Sequence, residues 1–176
     1  IEKNVGTLIA ALSAVLALRP NCVDVLLGEG PLRDALLQQI GALPSGERIH
    51  LVGYSTQIAT WMRRATVFVS VSHFEGNPNA VLEAMSLGCP LVVSDIPQHR
   101  EILDDSSAVF CNPMDASSIA QALCRVLGSS VAAKDRSLHA AMRAREFSIE
   151  SSAQEYLRVY RTLIGHQSLS NPTHAS

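Results

Sequence analysis

The sequence predicts an α/β fold, with one domain in which helices flank a parallel sheet of about five strands. Short apolar runs alternate along the chain with segments of helical periodicity, a pattern typical of parallel strands joined by crossover helices. The apolar runs at 67–71 and 91–93, separated by a helical segment, illustrate this alternation. Hydrophobic residues make up 47% of the 176 residues, which suffices for one domain with a buried core.

Each expected element has a signal in the sequence. Apolar residues of segment 5–18 fall on one helical face, and Arg19-Pro20 stops this helix because proline lacks a backbone N–H. The glycines of segment 28–31 turn the next strand into a helix. The expected order is helix 5–18, strand 23–27, helix 32–40, strand 49–53, helix 57–64, strand 67–71, helix 78–87, strand 91–93, strand 109–110 and helices 116–127, 134–147 and 152–164.

Composition bounds the domain and its surroundings. One domain is expected over 1–165, and the polar segment 166–176 lacks periodicity and is expected to be a disordered tail. The net charge of −2 gives no electrostatic argument for nucleic acid or an anionic membrane. The four cysteines lack the paired spacing of a metal site, and three lie in or beside apolar runs. Buried free thiols in a reducing compartment are therefore expected, which favours the cytoplasm.

The most informative segment is 75–83, which reads Glu-Gly-Asn-Pro-Asn-Ala-Val-Leu-Glu and connects a strand to a helix. In an open α/β sheet, ligands bind beyond the carboxyl ends of the strands, where such turns lie. Gly76 permits close approach of the backbone, Asn77 is a good N-cap, and Pro78 suits the first helical position. A helix start favours an anion, so the two carboxylates beside it predict a ligand with both phosphates and hydroxyls.

The two carboxylates, Glu75 and Glu83, also have plainer interpretations. For Glu83 an ordinary exposed helical acid competes evenly with a function, whereas the position of Glu75 at a strand end favours a function. Glycosidases hold two carboxyl groups about 5 Å or roughly 6.5–9.5 Å apart. Eight helical positions would span about 12 Å, at about 1.5 Å per residue. The hydrolase interpretation is weakened but stays open, since the first of those positions belong to a loop.

The longer run 74–102 carries a family resemblance. It reads Phe-Glu-Gly-Asn-Pro-Asn-Ala-Val-Leu-Glu-Ala-Met-Ser-Leu-Gly-Cys-Pro-Leu-Val-Val-Ser-Asp-Ile-Pro-Gln-His-Arg-Glu-Ile. Two Glu residues with seven positions between them, then Glu-Ala-Met and Gly-x-Pro, form a specific signal. The run closely resembles the donor-binding half of family-four GT-B glycosyltransferases. Lys3-Asn4 before an apolar helix, the turn at 28–33 and Leu51-Val52-Gly53 follow in that family's order. The resemblance implies the C-terminal half of a GT-B fold, a Rossmann-like domain whose first strand is missing.

The resemblance implies roles for the matching residues. Glu83 would bind the ribose hydroxyls of the nucleotide and Glu75 the sugar hydroxyls of the donor, because carboxylates accept strong hydrogen bonds from paired hydroxyls. Lys3 would bind the diphosphate, and Lys3 and Glu75 are the expected catalytic residues. The backbone that follows Glu75 would face the phosphates and the sugar through Gly76, Asn77, Pro78 and Asn79.

Weaker donor-binding candidates lie on neighbouring turns. Tyr54 and Ser55 match the place where the family's backbone meets the nucleobase, although Tyr54 could equally cover the sheet edge. Gly28 and Gly30 shape a turn near the same edge, and making the turn is favoured over direct contact with the ligand. Arg100-Glu101 follows a proline-containing loop and is expected to pair locally at the surface.

Two expectations concern charge at the diphosphate. In the family an arginine at the end of a strand also binds the diphosphate, and it would lie upstream of Lys3. The residues before Lys3 in this sequence are Ile1 and Glu2, so this arginine is missing and the isolated chain is not expected to transfer sugar. No Asp-x-Asp pair stands at a strand end, and the resemblance is to transferases that need no divalent cation. Neither a metal nor a cofactor is expected, and the UDP- or GDP-sugar donor is a substrate.

The expected function is that of the donor-binding half of a retaining hexosyltransferase in glycan or polysaccharide biosynthesis. An acceptor sugar or lipid-linked glycan would bind through a missing N-terminal domain, and the full enzyme could associate peripherally with the cytoplasmic face of a membrane. Two alternatives stay open. One is a nucleotide-sugar-binding module active only with a separate acceptor-domain chain. The other is a different GT-B enzyme such as a sugar-nucleotide epimerase, against which the Glu spacing and Lys3 argue.

Overall fold

The structure of the protein, a computed structural model, describes residues 3–168, and its elements follow the predicted alternation. The strands are β1 (Asp24–Leu27), β2 (Ile49–Gly53), β3 (Phe68–Ser70), β4 (Leu91–Ser94) and β5 (Val109–Cys111). The helices are α1 (Val5–Leu18), α2 (Arg33–Gly41), α3 (Ile58–Arg64), α4 (Asn79–Ser86), α5 (Pro97–Ile102), α6 (Ala116–Gly128), α7 (Ser130–Ala144) and α8 (Ile149–Ser168), with 3₁₀ turns at Gly46–Arg48 and Arg145–Phe147.

All strand pairings among residues 3–168 are parallel, which confirms the predicted α/β fold class. β1 pairs with β2, with Asp24 opposite Ile49. β4 lies between β3 and β5, so that Val92 is opposite both Val69 and Val109. One sheet of about five strands was expected, but the strands form a two-stranded and a three-stranded sheet.

The two sheets share no strand pairing among residues 3–168. In the doubly wound order 3-2-1-4-5-6, the first strand lies between the second and the fourth. The pairings β1–β2 and β3–β4–β5 fit strands two to six of that order, in which the first strand would lie between β1 and β3. The difference from one continuous sheet therefore has a topological reason, because none of the described strands occupies the central position.

Helix α1 joins the two sheets into one hydrophobic unit. Its buried side chains belong to the same cluster as Ile49 of β2, Val92 of β4 and Val109 of β5. Burying one such aliphatic side chain stabilises the fold by about 1.5–3 kcal/mol, so this helix strongly constrains how the sheets lie. The buried residues of α1 are Leu8, Ile9, Ala11, Leu12, Val15 and Leu16.

A second core cluster covers the other face of β4. Leu91 and Val93 belong to this cluster, whereas Val92 between them belongs to the first. Successive side chains of a strand point to opposite faces, so β4 is buried on both sides. Helix α4 contributes Val81 and Met85 to the second cluster, which fixes the helix that follows segment 75–78.

Two elements beside the Glu75 loop differ from the sequence expectations. Helix α5 occupies a segment that was interpreted as loop, because Pro97 starts a helical turn whose His99 and Ile102 are buried. Helix α4 begins at Asn79 rather than Pro78, since the carbonyl of Pro78 accepts the first bonds, from the N–H groups of Val81 and Leu82.

Near the C-terminus the helices are longer than predicted. Helix α7 starts at Ser130, where the Ser129 side chain caps it by accepting from the N–H of Ala132. Helix α8 runs from Ile149 to Ser168, and so includes the first three residues of the predicted tail. The rest of that tail, 169–176, lies outside the described residues, and its disorder stays a prediction.

Asp24, the first residue of β1, has a carboxyl group whose pKa is raised by burial. Its Oδ2 atom is buried and has no hydrogen-bond partner in the described part of the chain. Burial raises the pKa of Asp24 to about 6, and the charge of Arg48 only partly opposes this. A carboxyl whose pKa is higher in the folded state than in the unfolded state destabilises the fold once it ionises.

We predict that Asp24→Asn stabilises the protein at pH 7.5 but has little effect at pH 4. Between pH 3.8, the ordinary pKa of an aspartate, and about pH 6, the folded wild type keeps a proton on Asp24 that the unfolded chain has lost. The free energy of unfolding of the wild type therefore falls as pH rises through that window. The gain at pH 7.5 should be on the order of 2–3 kcal/mol, measured by urea unfolding. The exposed Asp135→Asn on α7 is the matched control. An equal gain at both pH values would contradict this account.

Candidate functional site

The centre of the candidate site is Glu75, which lies five residues beyond the end of β3 and is only 8% exposed. The Lys3 ammonium donates to both of its carboxylate oxygens, at 2.8 Å from Oε1 and 2.7 Å from Oε2. The Ser72 hydroxyl donates to Oε1 at 2.6 Å. The structure thus brings the two predicted catalytic residues, 72 positions apart in sequence, into direct contact.

The charge of Glu75 is set by opposing effects. Burial raises the pKa of its carboxyl, but hydrogen bonds from Lys3 and Ser72, together with the charges of Lys3 and His99, outweigh burial and lower it below its ordinary value. Glu75 is therefore ionised at neutral pH and ready to accept hydrogen bonds. The Lys3 side chain remains 67% exposed, so the ammonium can contact a ligand while it faces the carboxylate.

Asn4 determines where Lys3 lies. It is the residue before α1 and has a left-handed backbone with φ of 53°, a conformation that asparagine tolerates better than most residues. Its side-chain amide donates to the carbonyls of Val71, at 3.2 Å, and Pro113, at 2.6 Å. The hydroxyl of Thr7 donates to its Oδ1 at 2.7 Å. The start of α1 is therefore tied to the end of β3, beside Glu75. Sequence reasoning gave Asn4 no separate role.

The loop after Glu75 leads into α4. Gly76, Asn77 and Asn79 are exposed and Pro78 is buried. A side chain added at Gly76 would meet no atom within 4 Å, so the space in front of this loop is open to a ligand. Asn77 was expected to cap the helix, but no side-chain cap bond forms, and the carbonyl of Asn77 instead accepts from the N–H of Asn79 at 2.8 Å.

The remaining candidates are dispersed over exposed surface. Glu83 is exposed on α4, and the Ser86 hydroxyl donates to its carbonyl. Tyr54 is 73% exposed after β2, and the Ser55 hydroxyl accepts from the N–H of Gln57. Neither Glu83 nor Tyr54 forms a hydrogen bond or an ion pair with Lys3 or Glu75 within residues 3–168, and their roles stay predictions.

The glycine turn after β1 lies beside the end of β2. Gly28 has φ of 122°, which favours glycine, and its N–H donates to the carbonyl of Gly53 at 2.8 Å. The carbonyl of Gly30 accepts from the N–H of Arg33 and starts the turn into α2. A side chain at Gly28 or Gly30 would meet no atom within 4 Å. Both glycines make the turn, and a contact with a ligand stays a prediction.

Sequence reasoning also missed a polar layer beneath Glu75. The Ser94 hydroxyl at the end of β4 donates to the carbonyl of Ser72, and the ring of His99 on α5 contacts Ser94. The position of Ser72 and Ser94 just after or at the end of parallel strands was a usable signal, because such ends meet at one edge. Nearby, Arg100 contacts Asp95 and Asp105, which confirms the expected local pairing.

No three His, Cys, Asp or Glu side chains gather as a metal site within residues 3–168. The expected independence of metal stays a prediction. Over the same residues, no helix combines the length and the apolar character that crossing a membrane requires.

Fold and site together define a class: a Rossmann-like domain with a carboxylate, an ammonium and an open glycine loop at the carboxyl edge of its strands. The chain belongs to the family "Glycosyl transferases group 1", whose model matches residues 1–129. Glycogen synthase of Mycobacterium tuberculosis is 31% identical over 163 residues, which are 90% of this chain and 39% of that protein.

Further similarities agree with this assignment. A Campylobacter jejuni N-acetylgalactosamine-N,N'-diacetylbacillosaminyl-diphospho-undecaprenol 4-alpha-N-acetylgalactosaminyltransferase is 29% identical over 136 residues, covering 76% of this chain and 37% of that protein. The crystal structure of Anabaena HepE in complex with UDP has a TM-score of 0.83 at 19% identity, over 92% of this chain and 46% of that one. The structural likeness establishes the C-terminal half of the GT-B fold. The chain spans less than half the length of these proteins.

We predict that Lys3→Met raises the pKa of Glu75 above its value in the wild type. Without the ammonium, burial opposes the charge and the Ser72 hydroxyl compensates only in part. Carboxyl ¹³C NMR, with the Glu75 signal assigned through Glu75→Gln, measures the titration directly. The exposed Lys134→Met is the control and should leave the signal unchanged. A Glu75 titration identical in Lys3→Met and the wild type would refute the role of the ion pair.

Proposed function

We propose that this chain is the donor-binding half of a retaining glycosyltransferase, which transfers a hexosyl group from a UDP- or GDP-sugar. The acceptor would belong to glycan or polysaccharide biosynthesis. The observation that carries the proposal is the contact of the Lys3 ammonium with the buried Glu75 carboxylate, beside an exposed glycine loop. A group that accepts from hydroxyls and a group that binds phosphate then stand next to each other, as a nucleotide sugar requires.

The two groups would divide the donor between them. Glu75 is held ionised and nearly buried, so it accepts strong hydrogen bonds from sugar hydroxyls. Lys3 is mostly exposed and would turn one or more of its N–H donors to the diphosphate. As the sugar–phosphate bond breaks, negative charge grows on the leaving diphosphate. Lys3 and the start of α4 would stabilise this charge, which is where electrostatic catalysis has its effect.

The remaining candidate residues would complete the donor site. Glu83 would bind the ribose, and the open backbone at Gly76 would approach the phosphates. Tyr54 and Ser55, after β2, would meet the nucleobase. Glu83, Tyr54 and Gly76 are exposed, and a side chain added at Gly76 would meet no atom within 4 Å, which is compatible with these roles.

The relatives support the assignment to sugar transfer. Their names include a glycogen synthase and a transferase acting on a diphospho-undecaprenol substrate, and solved neighbours hold UDP or UDP-glucose. We infer that an N-terminal domain binds the acceptor sugar or lipid-linked glycan, since this chain covers 39% of that glycogen synthase. We further propose a cytoplasmic location, with peripheral membrane association of the full enzyme.

We predict that Glu83→Ala weakens binding of UDP or GDP itself, by about tenfold, the scale of lost charge-assisted hydrogen bonds. Glu75→Ala should leave binding of the bare nucleotide nearly unchanged and remove most of the affinity that the sugar adds. Isothermal titration with UDP, GDP, UDP-glucose and GDP-mannose measures both effects. The exposed Asp135→Ala controls for a general loss of negative charge. Equal losses for the bare nucleotide in both variants would refute this division of roles.

We also predict that nucleotide binding does not need a divalent cation. Lys3 and the start of α4 supply the positive charge that a metal supplies in other transferases. Titrations with and without EDTA should give the same affinity. A loss of binding in EDTA that Mn²⁺ or Mg²⁺ restores would count against the proposal.

A further inference from the structure

His99 is the buried titratable group that the proposed function leaves unused. It lies on α5 and is completely buried, with 0% exposure. Its Nδ1 atom is 2.9 Å from the carbonyl oxygen of Ser94 and 3.1 Å from the hydroxyl oxygen of the same residue. Its Nε2 atom is also buried and has no hydrogen-bond partner in the described part of the chain.

The contacts of Nδ1 determine which nitrogen carries the proton. A carbonyl oxygen only accepts hydrogen bonds, so a 2.9 Å contact with the Ser94 carbonyl requires a proton on Nδ1. The single hydrogen of the Ser94 hydroxyl is donated to the Ser72 carbonyl at 2.7 Å, so this hydroxyl can only accept from His99. Neutral His99 therefore carries its proton on Nδ1, and this N–H donates to both oxygens of Ser94.

These hydrogen bonds connect α5 to the carboxylate, and we name them the Glu75 hydrogen-bond network. His99 donates to Ser94 at the end of β4, Ser94 donates to the Ser72 carbonyl after β3, and Ser72 donates to Glu75 Oε1 at 2.6 Å. Every member is less than a tenth exposed. The bond from His99 to Ser94 joins α5 to β4, the bond from Ser94 joins β4 to the loop after β3, and the bond from Ser72 to Glu75 lies within that loop. Together they fix the loop that carries Glu75 relative to β4.

We propose that His99 is a positioning residue, which through Ser94 and Ser72 holds the Glu75 carboxylate where it accepts hydrogen bonds from the donor sugar. This inference rests on the proposed function. A hydrophobic residue would fill the same core position without leaving a buried nitrogen unsatisfied, which costs free energy. An aliphatic side chain could not supply the hydrogen bond that Nδ1–H donates to Ser94.

Two amide substitutions separate positioning from packing. In His99→Asn the side-chain N–H stands near the place of Nδ1–H, whereas in His99→Gln it reaches toward the place of Nε2. His99→Leu keeps bulk and removes all donors. Ser94→Ala keeps the carbonyl that His99 grips but cuts the bond to Ser72. Each variant is checked for folding by circular dichroism and thermal unfolding. Ser94→Ala and His99→Asn stay informative if His99→Leu does not fold.

The readout is the sugar increment, defined as the ratio of the affinity for UDP-glucose or GDP-mannose to that for the matching nucleoside diphosphate. We expect His99→Gln, His99→Leu and Ser94→Ala to reduce the increment by about fivefold or more, the scale of one lost hydrogen bond. His99→Asn should keep it within about twofold. A merely structural role would lower thermal stability in all variants and leave the increment unchanged, which would overturn the proposal.

A second readout needs no ligand. In the wild type, ¹⁵N NMR of the imidazole should show the Nδ1–H tautomer, and the Glu75 carboxyl should titrate at higher pH in Ser94→Ala and His99→Leu than in His99→Asn. If the wild type binds no nucleotide sugar, the proposed function fails and this titration alone decides about His99. A Glu75 titration that is the same in all folded variants, or an Nε2–H tautomer, overturns the positioning role.

Discussion

A carboxylate that is nearly removed from water needs partners for its charge, and Glu75 has them in three places. Lys3 comes from the chain before α1, Ser72 from the segment after β3, and His99 acts from α5 through Ser94. Burial alone would raise the pKa of this carboxyl, but its partners lower it. The proposed function depends on this balance, because an ionised and immobile carboxylate would distinguish one hydroxyl arrangement from another.

The balance in turn depends on how α1 packs. Its six buried residues hold the helix across both sheets, and the left-handed turn at Asn4 ties its start to the carbonyls of Val71 and Pro113. Lys3 is exposed and flexible by type, and its place beside Glu75 follows from this anchoring. The two sheets do not share a hydrogen-bonded ladder among the described residues, so the side-chain core under α1 carries the alignment of their carboxyl ends.

The fold could be predicted from the sequence to the extent that burial leaves a periodic pattern. Helix α1 and strand β2 have the bounds that their apolar patterns predict. Helix α5 was missed because Pro97–Ile102 contains few apolar residues, and its buried His99 gives no hydrophobic period. The single continuous sheet was expected because alternation reveals strands, whereas strand neighbours depend on contacts distant in sequence.

The sequence by itself determined the α/β class and the Glu75 loop between a strand and a helix, because these depend on local pattern. Lys3 and Glu75 were selected as candidate residues through the motif and the family resemblance. Only the tertiary structure decided that Lys3 and Glu75 are in contact and that Asn4 holds Lys3 beside Glu75. It likewise decided that hydrogen bonds connect His99 through Ser94 and Ser72 to the carboxylate. The physical reason is that these bonds join residues from separate elements, and no local propensity encodes which strand ends and helix starts meet at one edge of a sheet.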